Sequence, residues 1–114
     1  MIVPGFVDMH VHGGGGGSYT TGEPKDAVEA AAFHLSHGTT TIMASFITDP
    51  VEQLARGVEA LSELVADGVL AGLHLEGPYL APAQRARTRP SGCANPTGGR
   101  SSDCSRWTAG RCGW

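Results

Sequence analysis

The sequence predicts an α/β fold, from the order of its segments, the length of its loops and the length of the chain. Strand-like and helix-like segments alternate as β-α-β-α-β between residues 3 and 76, joined by loops of a few residues. That order implies parallel strands with right-handed crossovers, as in an open sheet or a (β/α)8 (TIM) barrel. The chain has 114 residues, whereas a complete barrel needs roughly 250. The prediction is therefore an open sheet or a partial barrel of about three strands and two helices.

The first predicted strand covers residues 6–12, Phe-Val-Asp-Met-His-Val-His, which are rich in β-favouring types. It stops at five consecutive glycines, residues 13–17. These glycines match neither the G-x-G-x-x-G fingerprint nor the phosphate-binding P-loop. They either let the backbone approach a metal or substrate closely or form a flexible loop.

The first predicted helix runs from about Pro24 to His37. Proline suits its first turn, and Gly38 suits a C-terminal cap. Its predicted apolar stripe consists of Ala27, Val28, Ala31, Ala32 and Leu35. A buried strand is predicted next, over residues 39–46, Thr-Thr-Thr-Ile-Met-Ala-Ser-Phe.

The second predicted helix has the clearest end signals. Asp49 suits the N-cap, Pro50 the first helical position, and Glu52 completes a capping-box pattern. Apolar residues then keep helical spacing until Gly68 ends the helix. A third strand is predicted over residues 69–75, closed by Glu-Gly-Pro at residues 76–78.

Composition divides the chain near residue 84. Residues 1–83 have a net charge of −8, whereas residues 84–114 have six arginines and a net charge of +5. No Val, Ile, Leu, Met or Phe follows Leu80, so the second segment cannot bury enough apolar surface to order itself. We therefore expect a folded α/β segment over residues 1–83 and a disordered tail over residues 84–114.

The partners and location expected from composition are limited. The arginines of the tail lack the interleaved aromatic residues of a nucleic-acid-binding segment, and no apolar run is long enough to span a membrane. The three cysteines fit neither paired zinc-ligand spacing nor a disulfide framework. The first residues lack the features of a signal peptide. We expect a cytoplasmic chain without nucleic-acid or membrane partners.

The candidate metal ligands are His10, His12 and Glu76. Residues i and i+2 of a strand share a face, so the two imidazoles project together near the strand's carboxyl end and can bind one divalent cation. Glu76 follows the third strand at the same edge of the sheet and can supply an oxygen ligand. Asp8 lies on the face of the two imidazoles and can orient one of them.

Each of these residues also has a structural interpretation. The histidines can be polar residues at a strand end, and Glu76 can be a solvated or capping acid. His74 fits a supporting or core role better than that of a ligand. His34 and His37 lie late in a helix, where a helix-dipole or surface role is expected.

Three stretches together resemble one enzyme family. They are Pro-Gly-Phe-Val-Asp-Met-His-Val-His-Gly at residues 4–13, Gly-Thr-Thr-Thr at 38–41, and His-Leu-Glu-Gly-Pro-Tyr-Leu-Ala-Pro at 74–82. The first resembles the opening of the metal-dependent amidohydrolase superfamily. The third is similar to the signature of its N-acetylglucosamine-6-phosphate deacetylase family. The resemblance covers about residues 3–85.

The resemblance implies a function and a site. The family hydrolyses N-acetylglucosamine 6-phosphate to glucosamine 6-phosphate and acetate. His10, His12 and Glu76 match its metal-ligand positions, with Zn²⁺ expected first and Fe²⁺, Mn²⁺ or Co²⁺ as alternatives. Some members lack the His-x-His pair and keep one metal site, whereas this chain has the pair and resembles the variants able to hold two metal ions. The resemblance also implies that residues 1–83 are the N-terminal part of a TIM barrel. The family's catalytic aspartate and later histidine ligands belong to late strands, so no catalytic residue is expected in this chain. A homo-oligomer is expected of the intact family.

The tail departs from the family pattern. Members usually continue with Arg-Gly-Ala-His, whereas this chain reads Arg-Ala-Arg-Thr at residues 85–88. Loss of one G from codons GGC-GCG-CAC gives GCG-CGC-ACx, which encodes Ala-Arg-Thr. The hypothesis is that residues 86–114 are an out-of-frame translation. Resequencing the locus tests it, because an intact nucleotide count with no barrel coding in the adjacent frame contradicts it.

Two alternative functions remain open. Another amidohydrolase, such as a dihydroorotase-like enzyme, fits less well because such enzymes often use a modified lysine where this chain has Glu76. The second alternative is a truncated, non-catalytic fragment that binds metal weakly. Its open sheet exposes edges and apolar helix faces, for which aggregation is expected.

Overall fold

The computed structural model describes residues 2–80, which form a parallel sheet, two helices and a small hairpin. The elements are β1 (Phe6–Val11), β2 (Gly13–Gly14), β3 (Gly17–Ser18), α1 (Pro24–Ser36), β4 (Thr39–Phe46), α2 (Val51–Ala66) and β5 (Gly72–Leu75). The sheet has the order β1-β4-β5, with both neighbouring pairs parallel. The β-α-β-α-β prediction is confirmed. The proposed tail of residues 84–114 lies outside the described residues.

The core lies around the central strand β4. Ala44, Ser45 and Phe46 at its carboxyl end are all buried, because β1 and β5 flank this strand and helices cover it. Helix α2 contributes Leu54, Val58 and Leu61 from one face, as its helical spacing of apolar residues predicts. The predicted buried strand is confirmed in this half.

The predicted apolar stripe of α1 is only partly right. Ala27, Ala30 and Ala31 are buried, whereas Val28 is 44% exposed and Leu35 is 59% exposed. Small residues face inward because the β2–β3 hairpin lies directly against this helix: a Cβ on Gly17 would lie 2.2 Å from the Asp26 carbonyl oxygen. Val28 and Leu35 therefore lie on the open side of α1.

The five glycines form a hairpin, not a flexible loop. Strands β2 and β3 pair antiparallel, with Gly15 and Gly16 at positive φ between them. The backbone approaches α1: a Cβ on Gly15 would lie within 2.8 Å of the Phe33 side chain, and the His34 ring donates through Nε2 to the Gly13 carbonyl oxygen at 3.1 Å. The close approach expected of these glycines is thus made to a helix.

Two predicted boundaries are corrected. The N-cap of α2 is Pro50 instead of Asp49, because the Pro50 carbonyl accepts the first helical hydrogen bond while its backbone is extended, with ψ 140°. Strand β5 begins at Gly72, three residues later than predicted. The amides of Val69 and Leu70 instead bond to the Leu64 carbonyl, which continues the end of α2 after Gly68 turns the chain with φ 76°.

Gly57 on α2 is required by close packing, which leads to a stability prediction. A Cβ at this position would lie 2.5 Å from Cε1 of the buried Phe46 ring. Gly57→Ala is expected to lower the free energy of unfolding by about 1–3 kcal/mol through overpacking, although alanine normally favours a helix by ~1 kcal/mol. Urea unfolding followed by circular dichroism measures the change. Glu59→Ala, on the exposed face of the same helix, is the control, and unchanged or increased stability of Gly57→Ala contradicts the prediction.

The outer edge of the sheet exposes apolar side chains, as the sequence predicts for an open sheet. Phe6, Val7 and Met9 on β1 are each more than 60% exposed. Aggregation through this surface remains a prediction. Among residues 2–80, neither helix combines the length and apolar character that a membrane span requires.

Candidate metal centre

The three predicted ligands come together at the carboxyl edge of the parallel sheet. His10 lies in β1, His12 directly follows it, and Glu76 directly follows β5. One potential ligand atom from each side chain lies within 4.8 Å of the other two. Glu76 Oε1 contacts His10 Nε2 and lies 3.6 Å from His12 Nε2. Two strands separated by β4 therefore bring one donor set together.

The backbone of the central strand fixes the orientation of the His12 ring. His12 Nδ1 lies 2.9 Å from the Ser45 carbonyl oxygen. A carbonyl only accepts hydrogen bonds, so Nδ1 carries the proton and donates it. In the neutral ring, Nε2 then has a free lone pair, and it faces Glu76. Metal-binding histidines commonly have this second hydrogen bond, which fixes the tautomer and the ring plane.

The donor set fits a divalent cation of the zinc type. His12 Nε2 lies 3.6 Å from Glu76 Oε1, and His10 Nε2 contacts the same oxygen, so the three potential ligand atoms face one another. Two imidazole nitrogens and one carboxylate oxygen are ligands that Zn²⁺ takes in catalytic sites, where a further position is left for water or substrate. These residues therefore fit the metal that the resemblance implies.

The position of Glu76 is set by its neighbours along the chain. Its backbone amide donates to the Phe46 carbonyl at 3.1 Å, which ties it to the end of β4. Gly77 follows, and a Cβ there would lie 2.3 Å from Thr48 Oγ1. Pro78 is fully buried. The Glu-Gly-Pro sequence thus packs closely on the segment after β4 and holds the carboxylate at the sheet edge.

His10 is the most exposed of the three side chains, at 55%. Two other imidazoles flank it: the His12 ring at 5.1 Å with an interplanar angle of 77°, and the His74 ring at 5.2 Å with 64°. Edge-to-face contacts of this kind are favourable between aromatic rings. Ring packing therefore restricts His10, whereas a hydrogen bond restricts His12.

The remaining polar residues singled out in the sequence have other contacts. Asp8 Oδ1 accepts from the backbone amide of His10 at 3.1 Å, so its observed contact is with the backbone instead of an imidazole. His74 Nδ1 lies 3.1 Å from the hydroxyl of Ser45. His37 bonds at the end of α1 to the Phe33 carbonyl. No sequence motif indicates a role for Ser45. Its position between His12 and His74 follows only from the pairing of the three strands.

Tyr19 is joined to His12 through the backbone and was also missed. Its amide donates to the His12 carbonyl at 2.9 Å, and its side chain is fully buried. Its hydroxyl has no hydrogen-bond partner among residues 2–80. Burial, and secondarily the negative charge of Asp8, raise the pKa of Tyr19 to about 12. The phenol is therefore held neutral in the fold.

This raised pKa predicts a loss of stability in alkali. The folded chain holds the Tyr19 proton more tightly than the unfolded chain, whose value is 10.0. The contribution is complete below pH 10 and is lost as pH rises towards 12, by at most about 2.7 kcal/mol at ~1.36 kcal/mol per pKa unit. Urea unfolding at pH 9 and pH 11.5 measures it. Tyr19→Phe should lose less stability over this interval, and equal losses contradict the prediction.

A surface cavity lies away from the candidate ligands. Its volume is about 420 Å³, and it opens between residues 20–23 and the amino-terminal half of α2. Its lining includes none of His10, His12 and Glu76. The chemistry of the donor set, and not the size of a cavity, therefore identifies the candidate site.

Fold and site together define an α/β protein with a candidate divalent-metal centre at the carboxyl edge of a parallel sheet, where α/β barrels place their active sites. The amidohydrolase family profile matches residues 1–106, which include part of the arginine-rich segment. The chain belongs to the amidohydrolase family.

Curated relatives share the sequence over most of this chain. N-acetylgalactosamine-6-phosphate deacetylase of Shewanella sp. (strain ANA-3) is 31% identical over 79% of the chain and 24% of its own length. N-acetylglucosamine-6-phosphate deacetylase of Homo sapiens is 33% identical over 75% of the chain and 22% of its own length. The chain thus spans about a quarter of the length of these relatives.

Solved structures share the fold. N-acetyl-D-glucosamine-6-phosphate deacetylase from Mycobacterium smegmatis, solved as a variant in complex with N-acetyl-D-glucosamine-6-phosphate, superposes with a TM-score of 0.86 at 37% identity. The match covers 96% of this chain and 29% of that one. The Pasteurella multocida deacetylase gives a TM-score of 0.82 at 25% identity, over 92% of this chain and 28% of that one. The predicted partial barrel is confirmed by these matches.

Proposed function

We propose that this chain supplies the first metal ligands of an amide hydrolase that deacetylates an N-acetylated amino-sugar phosphate. One observation carries the proposal: His12 Nδ1 is tied to the Ser45 carbonyl, so the lone pair of Nε2 faces the Glu76 carboxylate, which also contacts His10. This arrangement favours a cation. The named activities of the family relatives support the choice of reaction.

The chain's own residues have distinct parts in the proposed reaction. His10, His12 and Glu76 hold the metal, and the Ser45 carbonyl keeps His12 in its ligating tautomer. A bound divalent metal polarises the amide carbonyl and activates water at neutral pH. We propose that the residue transferring the proton to the leaving amine belongs to the remainder of the barrel. The 114-residue chain is then inactive by itself.

The substrate proposed is N-acetylglucosamine 6-phosphate. The third motif of the chain resembles that family's signature, and the Mycobacterium smegmatis structure carries this sugar phosphate. The Shewanella relative is named for the galactosamine epimer. Both sugar phosphates are therefore tested side by side.

The metal site is tested first, apart from activity. Zn²⁺ is titrated in competition with a chromophoric chelator, in a background where Cys93, Cys104 and Cys112 are replaced by serine because thiolates bind zinc. One Zn²⁺ bound per chain, lost when His10 and His12 are both changed to alanine, is expected. Equal binding by that double variant contradicts the assignment of the ligands.

The reaction is tested with a chimera. Residues 3–83 replace the matching segment of the Mycobacterium smegmatis deacetylase, and acetate release is measured with added Zn²⁺. We expect no turnover from the 114-residue chain, turnover from the chimera, and none from a chimera carrying Glu76→Gln. Turnover by the chain alone overturns the proposal that it is incomplete, and a silent but folded, zinc-binding chimera overturns the proposed reaction.

A further inference from the structure

We propose that Ser45 and His74 are positioning residues that hold both histidine ligands from the central strand. The inference deepens the proposed function and rests on it for the role of His10 and His12 as ligands. Ser45 contacts His12 through its carbonyl at 2.9 Å and His74 through its hydroxyl at 3.1 Å. His74 in turn packs against the ring of His10. Ser45 thus constrains His12 directly and His10 through His74.

The sheet register brings these groups together. Ser45 pairs with His74 between β4 and β5, and Ala44 pairs with Val11 between β4 and β1. His12 therefore follows β1 beside the residue whose carbonyl it contacts. Ser45 is completely buried, so water does not compete for its hydrogen bonds. A buried hydroxyl between two imidazoles restricts their rotation more than an exposed one would.

The Ser45 hydroxyl holds the plane of the His74 ring. A hydroxyl can donate or accept, so the bond between Oγ and Nδ1 forms with either tautomer of the neutral ring and restricts the rotation of the ring in both. His74 is half-buried, and its centroid lies 5.2 Å from that of His10. A ring with a fixed plane can support the exposed His10 ring edge-to-face, whereas a ring free to rotate cannot.

A supporting role fits His74 better than a direct role as ligand. The clustered ligand atoms within 4.8 Å of one another come from His10, His12 and Glu76, and His74 is not part of that group. Its Nδ1 is already engaged by Ser45. Outer residues that orient ligands typically contribute ~10–100-fold to metal affinity, which is the effect expected here.

The first test uses the metal-free chain. Nitrogen-15 NMR of the histidine rings at pH 8, where free imidazole is neutral, reports each tautomer and the hydrogen bond at each ring nitrogen. The Nδ1 resonance of His74 is expected to shift in Ser45→Ala, which removes its hydrogen-bond partner, while His12 keeps its proton on Nδ1 because the carbonyl is retained. Ser45→Thr, which keeps a hydroxyl, should restore the parent resonance. An unchanged His74 signal in Ser45→Ala overturns the inference.

The second test measures Zn²⁺ affinity in the same cysteine-free background. Ser45→Ala and His74→Phe should each weaken Zn²⁺ binding by about 10–100-fold. The double variant should bind Zn²⁺ no less tightly than the less tightly binding single variant, because both substitutions interrupt the same contacts from Ser45 through His74 to His10. Circular dichroism checks that each variant folds. A loss in His74→Phe far beyond that in Ser45→Ala makes His74 a ligand and overturns the positioning role.

The two tests separate this inference from the proposed function. If the parent chain binds no Zn²⁺, the proposed function fails, and the NMR measurement still decides whether Ser45 fixes His74. If the parent chain binds Zn²⁺ but neither the His74 Nδ1 resonance nor the affinity responds to Ser45→Ala, the proposed function stands and the positioning role is wrong.

Discussion

Glu76→Gln is expected to remove most of the affinity for Zn²⁺ while changing the stability of the metal-free chain little. In the metal-free chain, Glu76 Oε1 contacts His10 Nε2 and lies 3.6 Å from His12 Nε2. A glutamine keeps an oxygen that can accept from His10, and its amide nitrogen can donate towards His12, so a weaker contact on one side is offset by a hydrogen bond of about 0.5–1.5 kcal/mol on the other. The same change removes the charge that attracts the cation, so affinity should fall by more than the ~10–100-fold typical of outer residues.

The contrast between these two changes makes the prediction specific. Thermal unfolding is measured without metal and with saturating Zn²⁺, since a ligand that binds only the folded state raises stability with its concentration. Glu76→Gln should melt close to the parent without metal and gain little when Zn²⁺ is added. Glu59→Gln, the same chemical change on the exposed face of α2, is the control for charge alone and should leave both values unchanged.

Two results would contradict this view of Glu76. A metal-free variant less stable than the parent means that the carboxylate is held by protein donors alone. Full stabilisation of the variant by Zn²⁺ means that the ion binds elsewhere.

The architecture was predictable because it depends on local patterns. Helix α1 was placed to within one residue by Pro24 and Gly38, and β4 was placed over its full length by a run of β-favouring residues. The errors arise where tertiary contacts decide. Val28 and Leu35 fit a stripe by spacing, yet the hairpin on α1 selects the alanine face. The sequence of a glycine run does not indicate which helix the resulting hairpin packs against.

The candidate site was predictable as a set of residues but not as an arrangement. His10, His12 and Glu76 each follow from strand periodicity and from the rule that carboxyl ends of parallel strands share an edge. No sequence pattern of this kind points to Ser45 or Tyr19. Their roles depend on which backbone atom of a neighbouring strand faces His12, and that is set by register, which sequence spacing does not contain.

His12→Asn is expected to abolish metal binding while preserving the fold. The side-chain amide of asparagine places a nitrogen close to the position of Nδ1, so it can donate to the Ser45 carbonyl as His12 does at 2.9 Å. It has no counterpart of Nε2, so it supplies no ligand towards Glu76. Zn²⁺ affinity should fall beyond the ~10–100-fold range of outer residues, with little change in urea unfolding.

His12→Ala separates the two functions of this ring. Alanine removes both the metal ligand and the hydrogen-bond donor. It leaves the carbonyl of the buried Ser45 without the hydrogen bond from His12, at a cost of about 1–3 kcal/mol. The two variants should therefore bind Zn²⁺ equally poorly but differ in stability. His37→Asn, at an exposed histidine that directly follows α1, is the control and should keep full affinity. Equal stability of His12→Asn and His12→Ala contradicts the orienting bond, and retained affinity in both contradicts His12 as a ligand.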